Sequence, residues 1–399
     1  MFTQCKHGFF INLAYNVDVM KTKIGLLTAV LFVGLLPVQS QRLSEEFTVA
    51  TLNVDGLPTD VIGIPINSDG PGERYTPEIA DYLLQKGYDI IGLQENFNYY
   101  DLLFPKMEAD YQHDDCKGKM SLSTLSFPFP FDGISLLWRN NILGAPTGGE
   151  AWTEAYGIFD HANDALTKKG YRRYELTLAG GSQVVVYNGH WDASVDDDEE
   201  NGRDTPDREA RMSQWIQLRD AIMNRLDDRP VIVLGDTNSY YCTDNVKHFF
   251  IDYIEATGKA RVSDARIEME CGGQFPPLEE GAATHDEGGH GLICQGEMLD
   301  KIIFINPTGG SKLTPLSYHV DSVAYMRSDD PTSPLGDHFP VSVKFRIEPA
   351  GSDETGIENP VISPLENREE WYDMQGQRYA RKPTAPGIYL HHGRKIVIK

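Results

Sequence analysis

Val231-Ile-Val-Leu-Gly-Asp-Thr-Asn238 is an apolar run that ends in two polar side chains one residue apart. The run reads as a β-strand, and its end delivers Asp236 and Asn238 into a cleft. Two carbonyl-bearing side chains so placed can align or deprotonate a water and bind a phosphoryl oxygen, whereas an Asx turn would use them only on nearby backbone amides. The same grammar recurs along the chain: Leu-Asn-Val-Asp at Asn53, Gly-Leu-Gln-Glu at Glu95, Asn-Gly-His-Trp-Asp at His190, Leu-Asp-Lys at Asp300 and Gly-Asp-His-Phe-Pro at Asp337 and His338. Any one of these would pass for a cap or a turn. Together, in one order, they supply two histidines, several carboxylates and two side-chain amides, the groups needed for metal-assisted hydrolysis of a phosphate ester.

Strands are expected over Phe47 to Val54, Tyr88 to Leu93, Gly133 to Trp138, Tyr174 to Leu178, Val184 to His190, Val231 to Gly235, Lys301 to Ile305 and Val341 to Phe345. Between the first two, Thr76 as N-cap, Pro77 in the first turn and Gly87 as the stop predict a helix. Asp207 to Leu226 carries Trp215, Leu218 and Ile222 at helical spacing and predicts a long amphipathic one. Many strands and few helices suggest two packed sheets with helices outside. After Phe345 the chain becomes polar and rich in Gly and Pro, a linker over 348–365. Residues 366–399 follow as a small β tail of two hairpins, each turning at a glycine. The tail resembles modules that close secreted bacterial proteins and serve sorting or attachment.

The chain has 399 residues and 40% hydrophobic content, ample for a large core. Its formal net charge is −23, and since both ends carry a basic excess the centre is more acidic still. Such a surface repels polyanions at long range and lacks a broad basic face for nucleic acid. From Met20 the order Met-Lys-Thr-Lys, apolar Ile24 to Leu36 and Pro-Val-Gln-Ser-Gln has the layout of a secretory signal, with cleavage expected near Ser40 and Met20 as the expected start. Removal of residues 1–40 leaves Cys116, Cys242, Cys271 and Cys294. An even count in an exported protein suggests two disulfides, Cys271 with Cys294 being the first pairing to expect.

From chemistry alone, Glu95 is the expected ligand of a hard divalent cation; Asn53 adds an amide oxygen to the same ion or holds the phosphate, and Asp337 is a metal or water-orienting ligand. His190 and His338 are the candidates to protonate the leaving oxygen and balance the phosphate charge, with Asp300 paired to His338. His285-Asp-Glu-Gly-Gly-His290 and Asp196 to Glu200 read as a Gly-rich acidic loop and a solvated charged loop.

These six motifs resemble the endonuclease/exonuclease/phosphatase superfamily, with its deoxyribonuclease I-like fold, over residues 46–347. The resemblance implies an α+β fold, a four-layer α/β/β/α sandwich of two mixed sheets, and a phosphodiesterase using Mg²⁺ or another divalent cation such as Mn²⁺ or Ca²⁺. It implies metal binding at Asn53, Glu95 and Asp337 and catalysis by His190, Asp236, Asn238, Asp300 and His338. Gly336 departs from the Ser usual there, and Asp192 is read as a supporting residue. Asn-Val-Asp-Gly-Leu-Pro, Gln-Glu-Asn-Phe with Tyr99 and Tyr100, and Lys169-Gly170 look most like secreted sphingomyelinase-type enzymes. A monomer acting on phospholipid at a membrane surface is therefore expected, with Phe127 to Phe131 as a membrane-facing loop. A secreted nuclease and a catalytically silent binding protein are the alternatives.

Overall fold

Alternation in the first strand decides how the layers stack. Phe47 and Val49 face one apolar cluster while Ala50 and Leu52 face another, so this strand is covered on both sides. The computed structural model describes residues 44–61, 63–115, 131–153, 167–193, 205–277, 298–351, 371–373, 378–379, 381–391 and 394–398. The principal elements are, in chain order, β1 (Glu45–Asn53), α1 (Gly72–Lys86), β2 (Ile90–Gln94), α2 (Tyr100–Met107), β3 (Tyr111–His113), β4 (Ser135–Arg139), β5 (Leu143–Ala151), β6 (Gly170–Thr177), β7 (Gln183–His190), α3 (Thr205–Met223), β8 (Val231–Asp236), β9 (Ala260–Asp264), α4 (Ala265–Glu270), β10 (Asp300–Pro307), β11 (Lys312–Val320) and β12 (Val341–Glu348).

They form two six-stranded sheets, β11-β12-β1-β2-β4-β3 and β9-β10-β8-β7-β6-β5. Each sheet is mixed. β1 runs parallel to β2 and β8 parallel to β7, while the other pairings are antiparallel. Val49, Trp138, Val186, Ile232, Phe304 and Phe345 meet between the sheets. Helices α1 and α2 cover the first sheet with Ile79, Leu83 and Phe104, and α3 covers the second with Trp215, Leu218 and Ile222. The result is the expected α/β/β/α sandwich. Each fully buried aliphatic or Phe side chain contributes about 1.5–3 kcal/mol relative to exposure, so the three clusters, not helix propensity, hold the layers.

The sheets approach each other closely where β2 has Gly92. A Cβ there would lie 2.1 Å from Leu234 Cδ1 and 3.1 Å from Asn188 Cγ on the opposite sheet. Asn188, fully buried, crosses the gap: its Nδ2 donates to Leu93 O (3.1 Å) and Ser135 O (2.8 Å), and its Oδ1 accepts from Gln94 Nε2 (2.7 Å). This polar staple lies just below the strand ends that carry the candidate site.

Helix α1 starts four residues before the expected cap. Thr76 Oγ1 donates to Gly72 O at 2.6 Å instead of capping, and Pro77 lies inside the helix. The predicted stop holds, with Gly87 in the left-handed region and its N–H on Leu83 O. Neither Cys242 nor Cys271 is in a disulfide. The expected pairing of Cys271 with Cys294 is not formed; Cys271 instead follows the last turn of α4 and packs against the second cluster. Among the described residues no helix is long and apolar enough to cross a membrane.

The chain divides into two compact units, Met1–Gly351 and Ser352–Lys399. In the second, β13 (Trp371–Asp373), β14 (Arg378–Tyr379), β15 (Gly387–His391) and β16 (Arg394–Ile398) form a sheet in the order β14-β13-β15-β16. The two expected hairpins are thus joined by antiparallel pairing of β13 with β15.

Candidate active site

Strand register assembles the site before any side chain is considered. In the first sheet the parallel pairing sets Asn53 beside Gln94, one residue from Glu95. In the second, Asp236 lies beside His190 on one flank and beside Asp300 on the other. The polar motifs therefore emerge at the same end of both sheets. Backbone strain marks the spot: of the four described non-glycine residues with positive φ, three are Asp55 (49°), Glu95 (53°) and Asn238 (46°). Gly56 is needed here because a Cβ would lie 2.3 Å from Glu95 O.

Asp236 is the hub. Its Oδ2 accepts from Asn53 Nδ2 at 3.0 Å and lies 3.4 Å from His190 Nε2 and 3.6 Å from His338 Nε2. Its Oδ1 accepts from the Asn238 backbone N–H at 3.0 Å. Burial alone would push this carboxyl up, but His338, His190 and Lys169 outweigh it and hold Asp236 far below the usual carboxylate range. His338 shares 2.7 Å between Nδ1 and Asp300 Oδ2. Burial opposes a charged imidazole, yet Asp300, Asp236 and Asp337 raise its pKa well above the ordinary value. Asp300 is itself raised by burial, against the pull of His338. His190 is buried, its Nε2 lies 3.8 Å from Glu95 Oε1, and its Nδ1 has no hydrogen-bond partner among the described residues.

A second group is acidic. Asp55 is pushed up to about 8 by burial, then by the charges of Asp337 and Glu95. Asp337 is also raised, by burial first and then by Glu95 and Asp236, with His338 opposing. Asp55 is buried, Glu95 half-buried and Asp337 exposed at the rim, and carboxylates that raise one another in this way take up protons unless a cation replaces them. The ligand atoms of Glu95, His190 and Asp236 lie within 4.8 Å of one another, as do those of Asp236, Asp300 and His338. The donor types fit a divalent cation, with Glu95 supplying hard carboxylate oxygen and the charges of Asp55 and Asp337 beside it. Asn53 has a bracing geometry: Nδ2 bridges Glu95 Oε1 and Asp236 Oδ2, each at 3.0 Å, and Oδ1 accepts from Asp55 N.

All eight residues singled out from sequence thus gather at one end of the two sheets. Two more emerge only here. Asp55 was legible as a strand-end carboxylate two residues after Asn53, but its neighbours 40 and 282 positions away were not. Lys169 stood out only by likeness; its Nζ donates to Trp191 O at 3.1 Å and its charge reaches Asp236. Asn238 Nδ2 donates to Trp191 O as well, at 3.2 Å. Asp192 is buried behind the site, its N–H donating to Gln214 Oε1 at 2.9 Å. A Cβ at Gly336 would meet Asp55 Cβ at 3.5 Å and Tyr325 Oη at 3.6 Å, so the cradle has room for the serine that the chain lacks. Residues 1–40, Cys116, Phe127 to Pro130, Asp196 to Glu200, His285 to His290 and Cys294 lie outside the described residues.

Residues 50–291 match the model of the endonuclease/exonuclease/phosphatase family. The chain is 28% identical over 319 residues to the sphingomyelinases of Mycobacterium tuberculosis and Mycobacterium bovis, covering 80% of its own length. It spans 56%, about half, of the length of these relatives. Among solved structures it is similar to the endonuclease/exonuclease/phosphatase from Bacteroides vulgatus, with 15% identity, a TM-score of 0.49, and coverage of 75% of this chain and 98% of that one.

Proposed function

The chain belongs to the endonuclease/exonuclease/phosphatase family and is a phosphoric ester hydrolase, and from that premise we propose that it is an exported, Mg²⁺-dependent phosphodiesterase of the sphingomyelinase type. The observation that carries the reading is the Asp236 hub: one carboxylate kept charged by two histidines, one of them locked by Asp300. The identity with sphingomyelinases supports a phospholipid head group as substrate, and the acidic centre disfavours a polyanion. The segment from Lys21 to Ser40 supports export.

Asp236, ionised at neutral pH, accepts a proton from the attacking water. Asn238 and Asn53 fix its two oxygens, so it meets that water in one orientation. Asp300 accepts from His338 Nδ1 and leaves Nε2 facing the reacting phosphate, where it donates to the leaving oxygen. Lys169 adds positive charge as the phosphorane becomes more negative, and His190 Nε2, beside Asp236, is placed to contact a phosphoryl oxygen. Glu95, with Asn53 and Asp337 as the other expected ligands and Asp55 beside them, would hold a divalent cation, which would supply Lewis acidity to the phosphoryl oxygens.

The test is phosphocholine release from sphingomyelin vesicles beside nicking of plasmid DNA, each with Mg²⁺ and with EDTA. Release that EDTA stops, and that His338→Ala lowers by about 10²–10⁴-fold, is the expected result. Nicking of DNA without phosphocholine release would overturn the lipid reading in favour of a nuclease.

A further inference from the structure

Behind the His338–Asp300 pair lies a small cavity lined by Tyr241, Asp264, Arg266, Asp300, Lys301 and Tyr318, among others. About 10 Å³ of it is open to the centre of a water molecule, room for one water. Two of its polar atoms are buried without a hydrogen-bond partner among the described residues: Asp300 Oδ1 and the Tyr318 hydroxyl. Buried polar atoms rarely stay unsatisfied, because each lost bond costs its full desolvation.

The neighbours leave few ways to satisfy them. Asp264 has Oδ1 occupied by the backbone N–H groups of Arg266 and Ile267 and Oδ2 by the Tyr241 hydroxyl. Asp300 Oδ2 is taken by His338. Burial, then the Asp264 carboxylate, pushes the Tyr318 hydroxyl up, so it remains a donor. An acceptor of a donated bond that can pass one on is what the cavity has room for.

We propose that Tyr318 is a positioning residue, which through one water in this cavity anchors Asp300 Oδ1 and so fixes the carboxylate that orients His338. The water accepts from the Tyr318 hydroxyl and donates to Asp300 Oδ1, and Lys301, also in the wall, offers a third polar neighbour. With Oδ1 held, the carboxylate cannot rotate about its Cβ–Cγ bond, and Oδ2 stays on His338 Nδ1. The argument for a catalytic consequence rests on the phosphodiesterase reading; the water itself does not.

Two measurements decide it. A high-resolution crystal structure of the full chain is expected to show a water within hydrogen-bond distance of both Tyr318 Oη and Asp300 Oδ1. A dry cavity, or a direct bond between the two groups, overturns the proposal, and this arm needs no substrate. Against bis(4-nitrophenyl) phosphate, Tyr318→Phe is expected to lower kcat by about threefold to tenfold, less than loss of a group bonded directly to a catalytic histidine. KM and melting temperature should hold, and in an Asp300→Asn background the same change should leave kcat untouched. An equal loss in both backgrounds, or a fall in melting temperature with kcat intact, would show a merely structural tyrosine. Failure on sphingomyelin with the water in place would count against the substrate class and not against Tyr318.

Discussion

Asp236 keeps its charge in a setting that ordinarily neutralises a carboxyl, and that inversion is the chemical content of the site. Its charge comes from His338, His190 and Lys169, so it should survive into acid. His338 is raised, so it should hold its proton past neutrality. With a base ionised and an acid protonated over the same range, activity is expected to stay level through pH 7 and to fall on the alkaline side as His338 deprotonates. A pH profile of kcat checks this, and a rise in activity across the alkaline range would sink it. Asp236→Asn keeps the shape and removes the base, and a loss of about 10²–10⁴-fold in kcat is expected from steady-state kinetics. At this scale the sequence was informative about residue type and poor about orientation. It drew Asp236, His190 and His338 from their strand ends. It could not reveal that Asn53 turns its amide nitrogen to two carboxylates, because that depends on Asp236, 183 positions away.

The strands that carry buried runs were legible because alternating or continuous apolar residues need both faces covered. Those that sit at edges were not. β5 reads Leu-Gly-Ala-Pro-Thr-Gly-Gly-Glu-Ala, nearly all exposed, and is a strand only because β6 pairs with it around a bulge at Pro146. β11 has a similar irregularity after Pro315. Helix α1 was recognised but misplaced at its start, since Thr76 bonds backward to Gly72 O instead of forward. One tight joint between the two sheets is Gly92 against Leu234 and Asn188. Gly92→Val should therefore destabilise by about 1–3 kcal/mol through overpacking, read as a lower denaturant midpoint. An unchanged midpoint would mean that the sheets separate there without cost.

At the scale of the molecule, acidity gathers at the mouth of the site. Asp55 binds its proton more tightly folded, at about 8 against 3.8 unfolded. Its stabilising share is thus whole below about pH 3.8 and disappears as pH rises toward 8. His338, also raised, acts in the same direction. Metal-free protein is therefore expected to melt at a higher temperature at pH 5 than at pH 8.5, and added Mg²⁺ to raise the melting temperature more at the higher pH. Calorimetry with and without EDTA reads both effects. Equal Mg²⁺ shifts at the two pH values would remove Asp55 and its neighbours from the cation's surroundings. Sequence displayed the overall acidity but not this concentration of it, which arises only when Asp55, Glu95 and Asp337 are folded together.

Asn188 touches no reacting atom, yet it spans the seam on which the reacting groups are divided: Asn53 and Glu95 stand on one sheet, His190 and Asp236 on the other. Catalysis here is a sensor of how the two sheets are docked. A misplacement of about 1 Å can cost about 10²-fold in rate, so breathing at that seam would silence turnover long before spectroscopy detected unfolding. Hydrolysis rate would then be the most sensitive thermometer this protein carries.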